Sequence, residues 1–311
     1  MLIYCIKRIF MMIPVLLGVV FTVFSIMSLT PGDPARLILG PQAEQEAVEL
    51  LRQEMRLDEP MIVQFIHYVS SILLRFDFGN SYRTGLPVFH EILARFPYTL
   101  ILAFMSVLVV FSLGIPVGIM SAVKQYSIAD ILPRALAMFL SAVPLFWLGM
   151  VFILLFALTL GWLPSSGIGS WQHFVMPITA AALPNAAMIM RMVRATMLET
   201  IRQEYIVTAR AKGASEVRII FKHALKNAML PVINSLGATL GLMLGGSIVA
   251  ETVFAVPGLG TLMILSVRIQ DIPMVMAVTI FLSVVFCAVI LMTDLTFGLV
   301  DPRVRARFAR R

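Results

Sequence analysis

The chain has 311 residues, of which 59% are apolar and only 13% charged, where soluble domains run at about 45–50% and about 25%. A mean hydropathy of +0.94 over the whole length excludes a soluble globular protein, and the same balance excludes intrinsic disorder and collagen. Cys5 and Cys287 stand at opposite ends with neither a disulfide framework nor metal-ligand spacing, and the net charge of +7 takes its meaning from where the basic residues lie.

A helix that crosses a bilayer needs about 20 mostly apolar residues. The first such run, 9–32, lies between Arg8 and Asp33. It is longer than a signal-peptide core of about 7–15 residues and ends in Ser28-Leu29-Thr30-Pro31-Gly32-Asp33-Pro34. Residues 1–32 therefore read as an N-terminal segment and an uncleaved first span. The next stretch, 33–95, is polar and of helix-forming composition over Glu44–Arg56. Beyond it Ile62, Phe65, Ile66, Val69, Ile72 and Leu73 recur at three- and four-residue spacing, which predicts an amphipathic helix. Gly79, Gly85 and Pro87 close that run. This insertion is expected to be a small helical domain on the outer membrane face.

The remaining chain, 96–300, is expected to form the membrane core. Charge-free runs lie at 96–123, 135–190, 227–250 and 272–293. The second is too long for one helix and carries its own turn, Gly161-Trp162-Leu163-Pro164-Ser165-Ser166-Gly167, so it divides in two. The expected spans after the first are 97–122, 135–160, 174–194, 228–250 and 272–296, with a loop at 195–226 and a basic tail at 301–311. Pro116, Pro144 and Pro184 mark kinks, which membrane helices tolerate. The predicted fold is all-α and polytopic, with six transmembrane helices and both termini on one side.

Lys and Arg concentrate on the cytoplasmic side of membrane proteins. With the N-terminus inside, the inner segments hold Lys7, Arg8, Lys124, Arg134, the basic residues from Arg191 to Lys226 and those from Arg303 to Arg311, most of the 24 in the chain. The outer side keeps Arg36, Arg52, Arg56, Arg75, Arg83, Arg95 and Arg268 among acids such as Glu44, Glu46, Glu49, Glu54, Asp58 and Glu59. The positive charge is a topology signal, and nucleic acid is not an expected partner.

The inner loop is the most informative polar segment. It lacks proline between Arg191 and Lys226, and its one glycine is Gly213. Met197, Leu198, Ile201, Tyr205, Ile206 and Ala209 recur at helical spacing before that glycine, and Val217, Ile219, Ile220, Phe221 and Leu225 after it. Two helices hinged at a glycine make a docking element. A solvated hairpin or an amphipathic helix on anionic lipid fits the same composition.

Within this loop, Glu204-Tyr205-Ile206-Val207-Thr208-Ala209-Arg210-Ala211-Lys212-Gly213 resembles the cytoplasmic "EAA" loop of ABC importer permeases, and more closely that of the dipeptide, oligopeptide and nickel family of binding-protein-dependent permeases. The resemblance extends over nearly the whole chain. It includes Pro31-Gly32-Asp33-Pro34-Ala35, Leu57-Asp58-Glu59-Pro60 with Gln64, and Asp77-Phe78-Gly79-Asn80-Ser81. It continues through His223-Ala224-Leu225-Lys226-Asn227-Ala228 with Pro231, Glu251-Thr252-Val253-Phe254, Pro257-Gly258-Leu259-Gly260, Asp271-Ile272-Pro273 and Asp301-Pro302-Arg303. Val207 stands where the general motif has Glu, and the interval from Gly213 to Pro231 is longer than usual; both departures resemble the peptide and nickel branch. Val256 replaces a tryptophan frequent in that branch.

The resemblance implies the type I ABC importer fold in a prokaryotic inner membrane. It further implies a second homologous permease chain, one or two kinds of ATPase subunit docked below, and an external solute-binding protein. Glu204, Tyr205, Thr208, Ala209, Arg210, Ala211, Lys212 and Gly213 would form the ATPase-coupling site within 204–222. The implied cargo is a short peptide, including glutathione-like ones, with nickel or a metal chelate as the alternative. No cofactor is expected on this chain: it lacks a G-x-x-x-x-G-K-[ST] phosphate loop, so ATP and Mg belong to the partner ATPases and the chain is not itself an enzyme.

Other chemistry finds less support. An ion-coupled secondary transporter places ionisable residues at the bilayer midplane, whereas the spans here carry none there, and Asp294 falls in the final turns of the last helix, where a cap or interhelical hydrogen bond suits it. His67, His90, His173 and His223 are scattered, without H-E-x-x-H or G-x-S-x-G. The 21 methionines read as packing. Gly237, Gly241, Gly245 and Gly246 form a small-residue stripe that permits close helix contact, within the chain or with a partner permease. Ser235, Thr239, Ser247 and Glu251 of the same span are the expected translocation-path residues.

Overall fold

The computed structural model describes the backbone of residues 2–30 and 32–300, and their side chains except those of residues 2–5, 7, 246, 294 and 296–300. The expected tail 301–311, Pro31 of the motif after the first span, the surroundings of Gly246 and the side chain of Asp294 lie outside the described residues.

Helix α1 runs over Leu2–Leu29 with Pro14 inside it. A short α2, Pro34–Leu39, follows; the Asp33 carboxylate accepts from the Ala35 amide at 3.1 Å, and Pro34 supplies the fixed φ suited to a first helical position. Two amphipathic helices come next, α3 over Gln45–Glu54 and α4 over Met61–Arg75. Phe76 ends α4 in the left-handed region, at φ 55°. A single bridge between Asn80 and Pro87 leads into α5, Val88–Val123.

The expected span 135–160 is not one helix. Helix α6 covers Ile128–Ala142 and α7 covers Leu145–Phe152, continuing as a π-helical turn over Ile153–Thr159. The two halves are bent by 106°. Pro144 has no amide to donate and pushes the residue before it out of the helical region, so Val143 is extended at φ −84°, ψ 125°. Helix α8, Gln172–Ile201, is longer than its expected span and runs on into the polar loop, where α9, Glu204–Ala211, follows. Helix α10, Glu216–Arg218, passes through a π-helical turn, Ile219–Ala224, into α11, Leu225–Val253. Helices α12, Leu259–Arg268, and α13, Ile272–Val300, complete an architecture without strands among the described residues. Five helices are long and apolar enough to cross a membrane, six when the bent α6–α7 pair counts as one span.

Two compact units share these elements. The first comprises residues 2–98 with 257–291. In its core Val88 and Ile92 pack with Leu259, Leu262, Met274, Ala277 and Val278. A second cluster sets Val20, Phe24 and Met276 against α4, where the Phe65 ring lies 5.1 Å from Phe21 and 5.6 Å from Phe24. Buried Asp271, just before α13, accepts from the Ser81 hydroxyl, the Tyr82 amide at 3.1 Å and the Met274 amide at 3.4 Å. One carboxylate thereby caps a helix and pins a loop 190 residues away.

The second unit comprises Thr99–Val256 with the end of α13. Its core gathers Val110 and Ala122 of α5, Ala182, Ile189, Val193 and Met197 of α8, Ile206 of α9, and Ile219, Ala224, Ala228 and Val232 beyond. Small residues let α5 and α8 approach. A methyl added at Gly118 would stand 2.7 Å from Val193 Cβ, and one at Gly114 2.9 Å from Ile189 Cγ2.

Candidate coupling site

The polar loop folds as a helical hairpin. Thr200 and Gln203 close α8, and the chain re-enters a helix at Glu204 with Gln203 extended in front of it. Helix α9 stops at Gly213, whose φ of +80° is the left-handed conformation glycine adopts at little cost. The Gly213 amide donates to Arg210 O at 3.0 Å and the Ala214 amide to Ala209 O at 3.2 Å, which satisfies carbonyls at the helix end. Two residues on, Ser215 accepts from the Arg218 amide at 3.4 Å and starts the second helix.

One side chain anchors α9. Ile206 is fully buried in the core cluster that also holds Val193, Met197, Ile219 and Ala224, while Ala209 is half-buried. Glu204, Tyr205, Thr208, Arg210, Ala211, Lys212 and Gly213 are all exposed. So are large apolar groups: Val207 is 56%, Val217 67% and Phe221 58% exposed. Tyr205 hydroxyl accepts from Asn227 Nδ2 at 2.8 Å and Thr208 hydroxyl donates to Glu204 O at 3.0 Å. Arg210 grips Glu216 through Nε at 2.6 Å and Nη2 at 3.1 Å, and this carboxylate raises the Arg210 pKa above its ordinary value. The expected coupling residues thus lie along one mixed apolar and basic surface hairpin. That surface suits a protein groove: apolar knobs to bury, with charges beside them for orientation.

The expected path residues lie on α11 and do not form one group. Ser235, half-buried, donates to Val232 O at 2.7 Å, and buried Thr239 donates to Ser235 O at 2.8 Å, so both hydroxyls turn back onto their own helix. Ser247 and Glu251 come together: Glu251 Oε1 accepts from Ser247 at 3.1 Å and from Thr99 of α5 at 2.7 Å. Glu251 is fully buried and Ser247 4% exposed, which makes this pair a contact between α11 and α5 within the chain. The glycine stripe divides as well. Gly237 is buried beside Thr293, whereas Gly245 is exposed with nothing within 4 Å of an added methyl.

A cluster the sequence reading passed over sits two turns before the end of α8. Asp130, in the first turn of α6, is fully buried. Its carboxylate accepts from Arg194 Nε at 2.7 Å and Nη2 at 2.9 Å, from Ser121 hydroxyl of α5 at 2.6 Å and from the Tyr126 amide at 2.9 Å. Arg134, one turn further on, lies 3.2 Å away. An acid beside Arg134 in a basic segment was the available signal; its main partner, 64 residues distant, was not. Among the described residues no group of three or more His, Cys, Asp and Glu is placed to hold a metal ion.

Residues 114–306 match the family model for the binding-protein-dependent transport system inner membrane component, and residues 1–103 match the model for the N-terminal part of such membrane components. The glutathione transport system permease protein GsiC of Salmonella typhimurium strain LT2 is 40% identical over 305 residues, covering 98% of this chain and 99% of that protein. GsiC of Escherichia coli strain K12 is 41% identical over the same extent. Among solved structures, an inward-facing conformation of the MetNI methionine ABC transporter aligns at a TM-score of 0.58 and 24% identity, covering 68% of this chain and 97% of that one. An amino acid ABC transporter with histidines aligns at a TM-score of 0.53 and 16% identity, covering 68% and 94%. These two share the fold, while the family models and the GsiC relatives together span nearly every residue. A polytopic helical chain in this fold, with a surface-exposed hairpin between its long apolar helices, belongs to the inner-membrane component family of binding-protein-dependent transport systems.

Proposed function

We propose that this chain is one of two pore-forming permease chains of an ATP-driven importer, and that its cargo is a short peptide of the glutathione type. The similarity to GsiC over 98% of the chain carries this reading. In it, the termini and the 195–226 loop face the cytoplasm and the 33–95 insertion faces outward. An external solute-binding protein delivers the peptide. One or two kinds of ATPase subunit, binding ATP and Mg, dock on 204–222 through Glu204, Tyr205, Thr208, Ala209, Arg210, Ala211, Lys212 and Gly213. A second homologous permease completes the pore. Helix α11 contributes to the translocation path, with Ser235 and Thr239 along it and the Ser247–Glu251 pair fixing its end against α5.

The coupling role has a physical basis in the hairpin. A docking helix transmits force only when it is stiff and tied to what it moves. Ile206 seats α9 in the core shared by α8 and the 219–224 turn, and the Gly213 turn with the Arg210–Glu216 pair closes the hairpin. Affinity purification of the tagged chain from its native membrane in mild detergent should bring down a second permease and ATPase subunits. The accompanying binding protein should bind glutathione or short peptides. Recovery of the chain alone, under conditions that hold known importers together, would overturn the assignment. Gly213→Val strains a left-handed residue in open space, so it is expected to cut uptake at least tenfold while the chain still inserts.

A further inference from the structure

Resting on the reading of α9 as the ATPase contact, we propose that the buried Asp130–Arg194 pair is the joint that makes the broken span α6–α7 move with the coupling hairpin. Both residues act as positioning residues in transport. The geometry points to this in three steps. First, the pair bridges α6 and α8, which are not consecutive in the chain: Asp130 on α6 takes a two-pronged Arg194 from α8, and with it Ser121 from α5 and the Tyr126 amide from the linker. A two-pronged guanidinium–carboxylate contact fixes angle as well as distance. Second, Arg194 follows Val193 on α8, and Val193 and Met197 share one buried core with Ile206 of α9 and with Ile219 and Ala224 of the π-helical turn. A displacement of α9 therefore reaches Arg194 through packed atoms and two turns of helix, and passes through the carboxylate to the first turn of α6. Third, the local fold does not require the charge. Helix α6 already starts at Ser127, whose carbonyl receives the Asp130 and Ile131 amides at 2.9 Å. Helices α5 and α8 are already drawn together by Gly114 and Gly118. Buried ion pairs contribute little net stability and are retained in some proteins for specific geometry.

What α6 leads to gives the joint its use. Beyond Ala142 the chain bends by 106° at Val143-Pro144 into α7. Rotation of α6 about that corner changes its angle to α7 with no helical hydrogen bond to break at Pro144.

The test uses the whole importer reconstituted in lipid vesicles with its ATPases and binding protein. Basal ATP hydrolysis, its stimulation by the binding protein, and uptake of labelled glutathione are compared for the wild type, Asp130→Asn and Arg194→Lys. In Asp130→Asn we expect assembly and basal hydrolysis within twofold of wild type, stimulation reduced at least fivefold, and glutathione taken up per ATP reduced at least tenfold. Arg194→Lys keeps the charge but loses the two-pronged contact, and is expected to show a smaller loss of about threefold in the same ratio. Stimulation within twofold of wild type in both variants overturns the joint. So does a proportional fall of hydrolysis and uptake, which a merely structural pair would give. Should Asp130→Asn fail to assemble, Arg194→Lys decides alone on the same ratio. The underlying reading is checked separately: a cysteine introduced by Lys212→Cys should cross-link to the ATPase in an otherwise wild-type complex. Absence of that cross-link refutes the docking site, and wild-type vesicles that fail to take up glutathione refute only the cargo.

Discussion

Each compact unit contains a buried aspartate at the start of a long helix, and the two are satisfied differently. Asp271 precedes α13 and accepts from neutral donors, the Ser81 hydroxyl and the Tyr82 and Met274 amides. Asp130 opens α6 and is matched mainly to a cation, Arg194, with Arg134 close by. Neutral donors pin a loop and cap a helix, tasks that any good acceptor performs. A carboxylate facing a guanidinium is different, because the arrangement then depends on charge and on the planar fork of the arginine. One aspartate stabilises a turn; the other makes two helices share a direction.

That contrast can be broken by substitution. The largest effect should come from Arg194→Ala, which leaves a fully buried carboxylate without its main partner and should cost about 3–5 kcal/mol. Heating the detergent-solubilised chain and following the folded peak by size-exclusion chromatography measures it. Asp130→Asn should be milder, since the Arg194 left behind is 16% exposed and can reach water, whereas Asp130 cannot. If Arg194→Ala proves no worse than Asp130→Asn, the charge argument fails.

Asp271→Ala should come next, at about 2 kcal/mol, from a lost helix cap and the stranded Tyr82 amide. Asp271→Asn should recover at least half of that loss, because an amide oxygen still accepts; no recovery would place Asp271 in the same class as Asp130. Gly118→Ala should destabilise by about 1–2 kcal/mol by forcing α5 from α8 one turn before Ser121. Pairing it with Val193→Ala should restore part of that stability, and thermal midpoints of the two variants decide it. The smallest effect is Ser81→Ala, about 1 kcal/mol for one hydrogen bond. A loss as large as that of Asp271→Ala would show that the hydroxyl, and not the helix cap, holds the loop.

Runs of apolar residues and the glycine at 213 made the spans and the hairpin legible, because both depend on neighbours in sequence. Local composition also sets where the expected bounds differ from the observed ones. Counting from charge to charge starts the third span after Arg134, but α6 begins at Ile128, because Asp130 lies in its first turn, where a carboxylate suits the helix N-terminus, and is paired with Arg194. Pro144 was visible as a kink, yet only the extended Val143 in front of it turns the kink into a corner. Ser247 and Glu251 stand one helical turn apart and could be paired by eye; Thr99, 152 residues from Glu251, could not. Long-range polar contacts leave no periodicity, so they emerge only once the helices are packed.

The single buried anchor of α9 has a consequence for how such importers diversify. An eight-residue helix with one fully buried side chain, Ile206, leaves its other exposed positions, apart from Tyr205 and Arg210 with their bonds to Asn227 and Glu216, open to change without disturbing the fold that carries it. Partner choice becomes a matter of surface spelling. On the docking proposed above, such a chain could take up a new ATPase, or share one with another permease, while its interior stays as it is.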